Sequence, residues 1–172
     1  MSRAVLVMLG GLPGVGKSTV ADALARRLRA TVVSVDPIED AIIRAGITMS
    51  FATGVAAYEV GAAVARMQLR NGLAVIADAA NYLEVGRDMW RRAARDADAG
   101  VVVVEVICSD ESLHRRRLES RERGLSAYPE PTWDQVVQRA LETESWPEAT
   151  IVVDTAQPVD AQLDRVLAQL VG

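Results

Sequence analysis

Several common kinds of chemistry are scarce in this chain. A single cysteine, Cys108, stands among 172 residues, so no intramolecular disulfide can form. It closes an apolar run and is expected to be buried and reduced. The one histidine, His114, has no second histidine with which to build a metal cluster, and is expected at the surface. Low-complexity tracts, internal repeats and linkers are all missing, and this length predicts one domain over residues 1–172 with a real core. The apolar N-terminal run is too short to cross a bilayer and has no cleavage-site pattern, so no membrane association is expected and the cytoplasm is the expected location. A net charge of −4 argues against broad, non-specific nucleic-acid binding.

What is present is concentrated in one stretch: Gly10-Gly11-Leu12-Pro13-Gly14-Val15-Gly16-Lys17-Ser18-Thr19. Gly11, Gly16, Lys17 and Ser18 satisfy G-x-x-x-x-G-K-[ST]. Glycines at 11, 14 and 16 let the backbone curl with positive φ, so that consecutive amide N–H groups point inward around an anion. A helix that starts here adds its positive dipole end. Lys17 is then placed for the β- and γ-phosphates of a nucleoside triphosphate, and the Ser18 hydroxyl for Mg²⁺. The flanks supply the required context. Arg3 to Leu9 reads as a buried strand, and Ser18 to Arg29 as a helix with Val20, Ala21, Leu24, Ala25 and Leu28 on one face. Residues Gly11 to Thr19 are therefore the expected phosphate-binding loop.

Strands and helices alternate along the rest of the chain. Thr31 to Val35 is a β-branched strand, followed by a short helix that Asp36, as N-cap, Pro37 and Glu39 would open. Residues 47–54 read as a loop, and Val55 to Arg70 as a long helix of small residues able to pack closely on a sheet. Leu73 to Asp78 is a third strand. Glu84 to Asp98 is an amphipathic helix, with Arg87, Arg91, Arg92 and Arg95 expected on its wet side. Val101 to Cys108 is almost continuously apolar, as a strand buried on both faces would be. The next helix carries His114 to Arg117 and continues through Arg121 and Arg123 to Gly124. A proline-containing loop, a helix from Thr132 to about Ser145, the strand Ile151 to Asp154 and a last helix from Pro158 complete the chain. Trp90, Trp133 and Trp146 are expected to pack the helices. Parallel crossover rules turn this alternation into a three-layer α/β/α sandwich with its ligand at the carboxyl ends of the strands.

In this order the parts resemble the P-loop kinases of adenylate-kinase-like fold. The likeness is greatest to the group of chloramphenicol phosphotransferase, the zeta toxins and polynucleotide 5′-hydroxyl kinases. It is carried by Gly11 to Thr19, by Ser34-Val35-Asp36, by Asp78-Ala79-Ala80-Asn81 and by the arginine-rich helix. The resemblance implies a five-stranded parallel sheet ordered 2-3-1-4-5, a mobile lid at about residues 114–131, and Mg²⁺- and ATP-dependent phosphorylation of a hydroxyl group. It also implies that Asp36 faces the acceptor hydroxyl.

Asp36 thus has two readings, a helix cap and the group that orients the hydroxyl and takes its proton. Asp78 would hold the Mg²⁺ shell or face the acceptor, or else simply end a strand in a turn. Arg117 and Arg121 are the lid candidates for neutralising phosphate charge, although arginines at 115, 116 and 117 cover nearly a full turn and some must face water. Met49, Phe51 and Tyr58 would wall the acceptor pocket. Polynucleotide kinases hold a substrate phosphate with an arginine shortly after the aspartate; here Pro37-Ile38-Glu39-Asp40 offers only acid. The leading expectation is therefore a small-molecule hydroxyl kinase using ATP. A polynucleotide kinase and a nucleotide-dependent switch without an acceptor are the alternatives. No base-reading motif separates ATP from GTP, and oligomeric state is not legible.

Overall fold

The computed structural model describes residues 4–146 and 150–170. Its elements are β1 (Val5–Gly10), α1 (Lys17–Leu28), β2 (Thr31–Ser34), α2 (Val35–Arg44), α3 (Phe51–Arg70), β3 (Val75–Asp78), α4 (Glu84–Asp96), β4 (Gly100–Ile107), α5 (Glu111–Ser120), α6 (Trp133–Glu142), β5 (Thr150–Asp154) and α7 (Val159–Ala168). All strand pairs are parallel, and the order is β2-β3-β1-β4-β5. The central strand β1 shows how the sandwich closes. Leu6 and Met8 point into one core with Ala57, Ala65 and Leu69 of α3 and Met89, Trp90 and Ala93 of α4. Val7 and Leu9 point into the other with Val20 and Leu24 of α1 and Leu163 and Val166 of α7. Period-2 alternation on a strand buried on both faces thus feeds two helix layers at once.

The small residues of α3 bring helices into close contact. A Cβ added at Gly61 would stand 2.8 Å from Trp90 Cη2, so this position sets how near α3 lies to α4. The indole N–H of Trp90 donates to Asn81 Oδ1 (3.0 Å), and Asn81 Nδ2 donates to Leu9 O (2.5 Å). Asn81, fully buried and in the left-handed region at φ 51°, is a structural clasp between β1 and α4.

Five local expectations are corrected. Helix α3 starts at Phe51 rather than Val55, because Ser50 and Thr53 form a reciprocal capping box. Asp36 does not cap α2: the helix begins at Val35 with Ser34 as N-cap, leaving Asp36 in the first turn. Helix α5 ends at Ser120, so Arg121 and Arg123 lie in the following loop. Arg87 is fully buried, not wet. Its guanidinium stacks 3.7 Å from the Trp146 ring centroid and donates to Asn81 O (2.7 Å) and Ser145 O (2.8 Å). His114 is buried as well. Of β4, Val103, Val104 and Val106 are buried while Val101 is exposed. Arg3 lies outside the described residues, among which no helix is long and apolar enough to cross a membrane.

Candidate active site

The carboxyl ends of β1, β2 and β3 open into a cleft of about 1220 Å³. Its floor is the phosphate loop. Gly14 and Gly16 take φ of 86° and 100°, the conformation that turns successive amides inward, and α1 starts directly behind them. Pro13, Gly14, Gly16, Lys17, Ser18 and Thr19 face the cleft. Gly11, Leu12 and Val15 form the back of the loop. Gly11 N–H donates to Ala80 O (3.1 Å), Val15 is buried in the core, and Leu12 O accepts from Lys17 Nζ (3.0 Å). Burial holds the Lys17 ammonium below its ordinary pKa, against the opposing pull of Asp78 and Asp36.

Asp78, at the end of β3, is buried beside the loop. Its Oδ2 accepts from Ser18 Oγ (3.0 Å) and Ser34 Oγ (3.3 Å). Burial lifts its pKa above the carboxylate range, while the Lys17 charge and the Ser18 bond pull it back. A desolvated carboxylate joined to the loop hydroxyl is a fitting donor set for Mg²⁺, which takes one or two protein oxygens and completes its shell with phosphate and water.

Two residues that sequence reasoning did not place hold the loop from behind. Thr155, just past β5, donates through Oγ1 to Val15 O (2.5 Å) and lies 3.1 Å from Ile107 O. Arg117 donates to Thr155 Oγ1 (2.8 Å) and Thr155 O (3.1 Å). The other is His114, whose Nε2 lies 2.8 Å from Pro13 O, while its ring stands edge-on to Trp133 at 5.0 Å. Arg117 therefore lines the cleft but is spent on the loop's support.

The far wall is a chain of charges. Arg123 bonds Asp36 Oδ2, and also donates to Glu130 (2.6 Å), which accepts in turn from Arg121 Nε (2.7 Å). Arg121 also reaches Glu130 Oε2 through Nη2 (2.6 Å), whereas Nη2 of Arg123 is buried without a hydrogen bond. Both arginines together hold the Glu130 carboxyl below its ordinary range despite partial burial. Asp40, one turn beyond Asp36, pins the same segment: its Oδ1 accepts the N–H groups of Ala127 (2.7 Å) and Tyr128 (3.0 Å). Arg123 was absent from the expected site because its partner stands 87 residues away and neither neighbourhood hints at the other. Met49, Phe51 and Tyr58 do line the opposite rim.

A family model described as "AAA domain" matches residues 6–143, and the chain belongs to that family. No curated protein matches it significantly in sequence. Among solved structures, the APS kinase CysC of Mycobacterium tuberculosis, in complex with AMPPNP and APS, is 21% identical with a TM-score of 0.72, each chain covered over 100%. A gluconokinase from Sinorhizobium meliloti is 22% identical with a TM-score of 0.64, over 99% of this chain and 94% of that one. A sugar kinase from Janibacter is 21% identical with a TM-score of 0.69, over 99% and 95%. At these identities the likeness establishes the P-loop kinase-like fold.

Proposed function

We propose that the protein is a kinase that transfers the γ-phosphoryl group of ATP, with Mg²⁺, to a hydroxyl group of a small molecule. The observation that carries this reading is the joint placement of the phosphate loop and Asp36 across one cleft. Loop amides and Lys17 would bind the triphosphate. Ser18 and Asp78 would hold Mg²⁺, which supplies charge neutralisation at the bridging phosphate oxygens. Asp36 would align the acceptor hydroxyl and receive its proton. The acceptor oxygen–phosphorus bond forms as the bond to the β-phosphate oxygen breaks, giving a phosphate ester and ADP. Arg123, with a buried unbonded Nη2, and Arg121, held beside it on Glu130, would turn their charge to the transferring group as residues 114–131 close as a lid. Arg117 would act by holding the loop. The likeness to an APS kinase, a gluconokinase and a sugar kinase supports the same assignment. The acids Asp36 and Glu39 in the acceptor half disfavour a polynucleotide.

The test is to follow the label of γ-labelled ATP in a metabolite extract containing a 5′-hydroxyl oligonucleotide. Label in a new small compound supports the proposal. Label on the oligonucleotide, or only in free phosphate, refutes it.

A further inference from the structure

Glu39 lines the cleft but takes no part in the phosphate chemistry. It sits on α2 and is 8% exposed. Among the described residues its carboxylate makes no hydrogen bond or ion pair, unlike the neighbouring Asp36 and Asp40. Residues three apart on a helix share a face, with Cβ atoms about 5–6 Å apart, so Asp36 and Glu39 present two carboxylates side by side. Gly54 of α3 lies beside the carboxylate, where a Cβ would stand in ordinary contact 3.6 Å from Oε1. Above them Met49 and Phe51 are 51% and 75% exposed at the cleft rim. A buried acid is costly unless something pairs with it, and an apolar lip stays in water unless something covers it.

We infer that the acceptor is an amino alcohol: its protonated amine pairs with Glu39, its hydroxyl meets Asp36, and its hydrocarbon body lies under Met49 and Phe51. Because both carboxylates stand on one face of α2 and line the same cleft, amine and hydroxyl would belong to one small molecule. Burial and the nearby Asp36 lift the Glu39 pKa, against the pull of Arg139, so an arriving cation relieves a strained charge. The inference rests on the kinase reading. The transferred group is the γ-phosphoryl of ATP, the bond formed is from the hydroxyl oxygen, and the amine keeps its proton throughout.

The experiment offers the wild-type protein Mg²⁺, γ-labelled ATP and matched triads. Phenylalaninol, N-acetylphenylalaninol and phenyllactate form one triad, and equivalent triads carry cyclohexyl and linear hydrocarbon bodies. The expected result is transfer to an amine member with kcat/KM about 30-fold or more above its N-acetyl partner, the scale of a buried charge pair. In Glu39→Gln, whose folding is checked by thermal unfolding, that preference should shrink to about threefold or less, the scale of a neutral hydrogen bond. Preferred transfer to the N-acetyl or acid members overturns the inference and leaves the kinase intact. Conversion of ATP to free phosphate with no labelled ester in any triad overturns both.

Discussion

Removing the Thr155 hydroxyl should loosen the phosphate loop without touching a ligand. Thr155→Val keeps the side-chain shape, but it deletes the donor to Val15 O and the acceptor for Arg117 Nη1. Thr155 is buried, so water cannot readily replace either bond. A neutral hydrogen bond contributes about 1 kcal/mol and one to a charged group about 1.5–3 kcal/mol, giving a loss of about 2.5–4 kcal/mol. In a chain of this size that lowers Tm by about 5–16 °C. Because Val15 precedes Gly16 in the loop, the amide cradle should also relax, weakening binding of a non-hydrolysable ATP analogue about tenfold, or 1.4 kcal/mol. Thr155→Ser is the control. It keeps the hydroxyl and gives up only the methyl against which Gly16 packs, where an added Cβ would be 3.2 Å away. Thermal unfolding and calorimetric titration of the three proteins decide the matter. If the valine variant lies within about 0.5 kcal/mol of wild type, the range of an ordinary surface change, or if serine damages as much as valine, the loop does not lean on this hydroxyl.

Three further outcomes follow from the same geometry. Asp36→Asn should reduce turnover about 10²–10⁴-fold, the contribution of a general base, while changing stability by less than about 1 kcal/mol, because the Asp36 side chain is 42% exposed where it meets Arg123; comparing kcat with chemical denaturation separates the two effects. Glu39 has a folded pKa above its ordinary 4.5, so its contribution to stability is fully present below that pH and is lost as pH rises through the raised value. Glu39→Gln should accordingly flatten part of that fall and unfold at a higher temperature than wild type at pH 7, read by Tm against pH without nucleotide. Arg87→Leu should cost about 3–5 kcal/mol, because the carbonyls of Asn81 and Ser145 lose buried charged donors, and denaturant titration measures it.

The architecture was legible because its signals are local. Alternating apolar strands, helix periodicity and turn residues each act within about ten positions and add up to a parallel sheet with helices on both faces, while the order β2-β3-β1-β4-β5 was implied by the resemblance to P-loop kinases. The misplacements occurred where a distant partner decides. Arg87 has the spacing of a surface arginine, but Trp146 and the carbonyl of Ser145 give its charge a buried seat. His114 reads as surface until Pro13, 101 positions away, offers its carbonyl. Asp36 has the local signature of an N-cap, yet the chain enters α2 two residues earlier and frees the carboxylate for Arg123.

The same division explains why half of the candidate site could be read and half could not. Phosphate binding uses backbone amides of one curled segment, so its chemistry is fixed by glycine spacing over about ten residues and needs no contact from elsewhere to be recognised. The proposed acceptor half is assembled differently: Asp36 and Glu39 come from α2, Met49 from the loop after it, Tyr58 from α3, Tyr128 from the loop between α5 and α6, and Arg139 from α6. Asp36, Met49 and Tyr58 were expected there through the resemblance and their place after β2, whereas Glu39, Tyr128 and Arg139 carry no spacing that marks them and are ordinary residues in their own helix or loop. Their meaning lies in burial and in unmet partners, properties that only the folded chain possesses. Glu39 makes the point most sharply: in sequence it is the third residue after a supposed cap, and in the fold it is a desolvated carboxylate lining an open cleft, with Arg139 acting on it only from a distance.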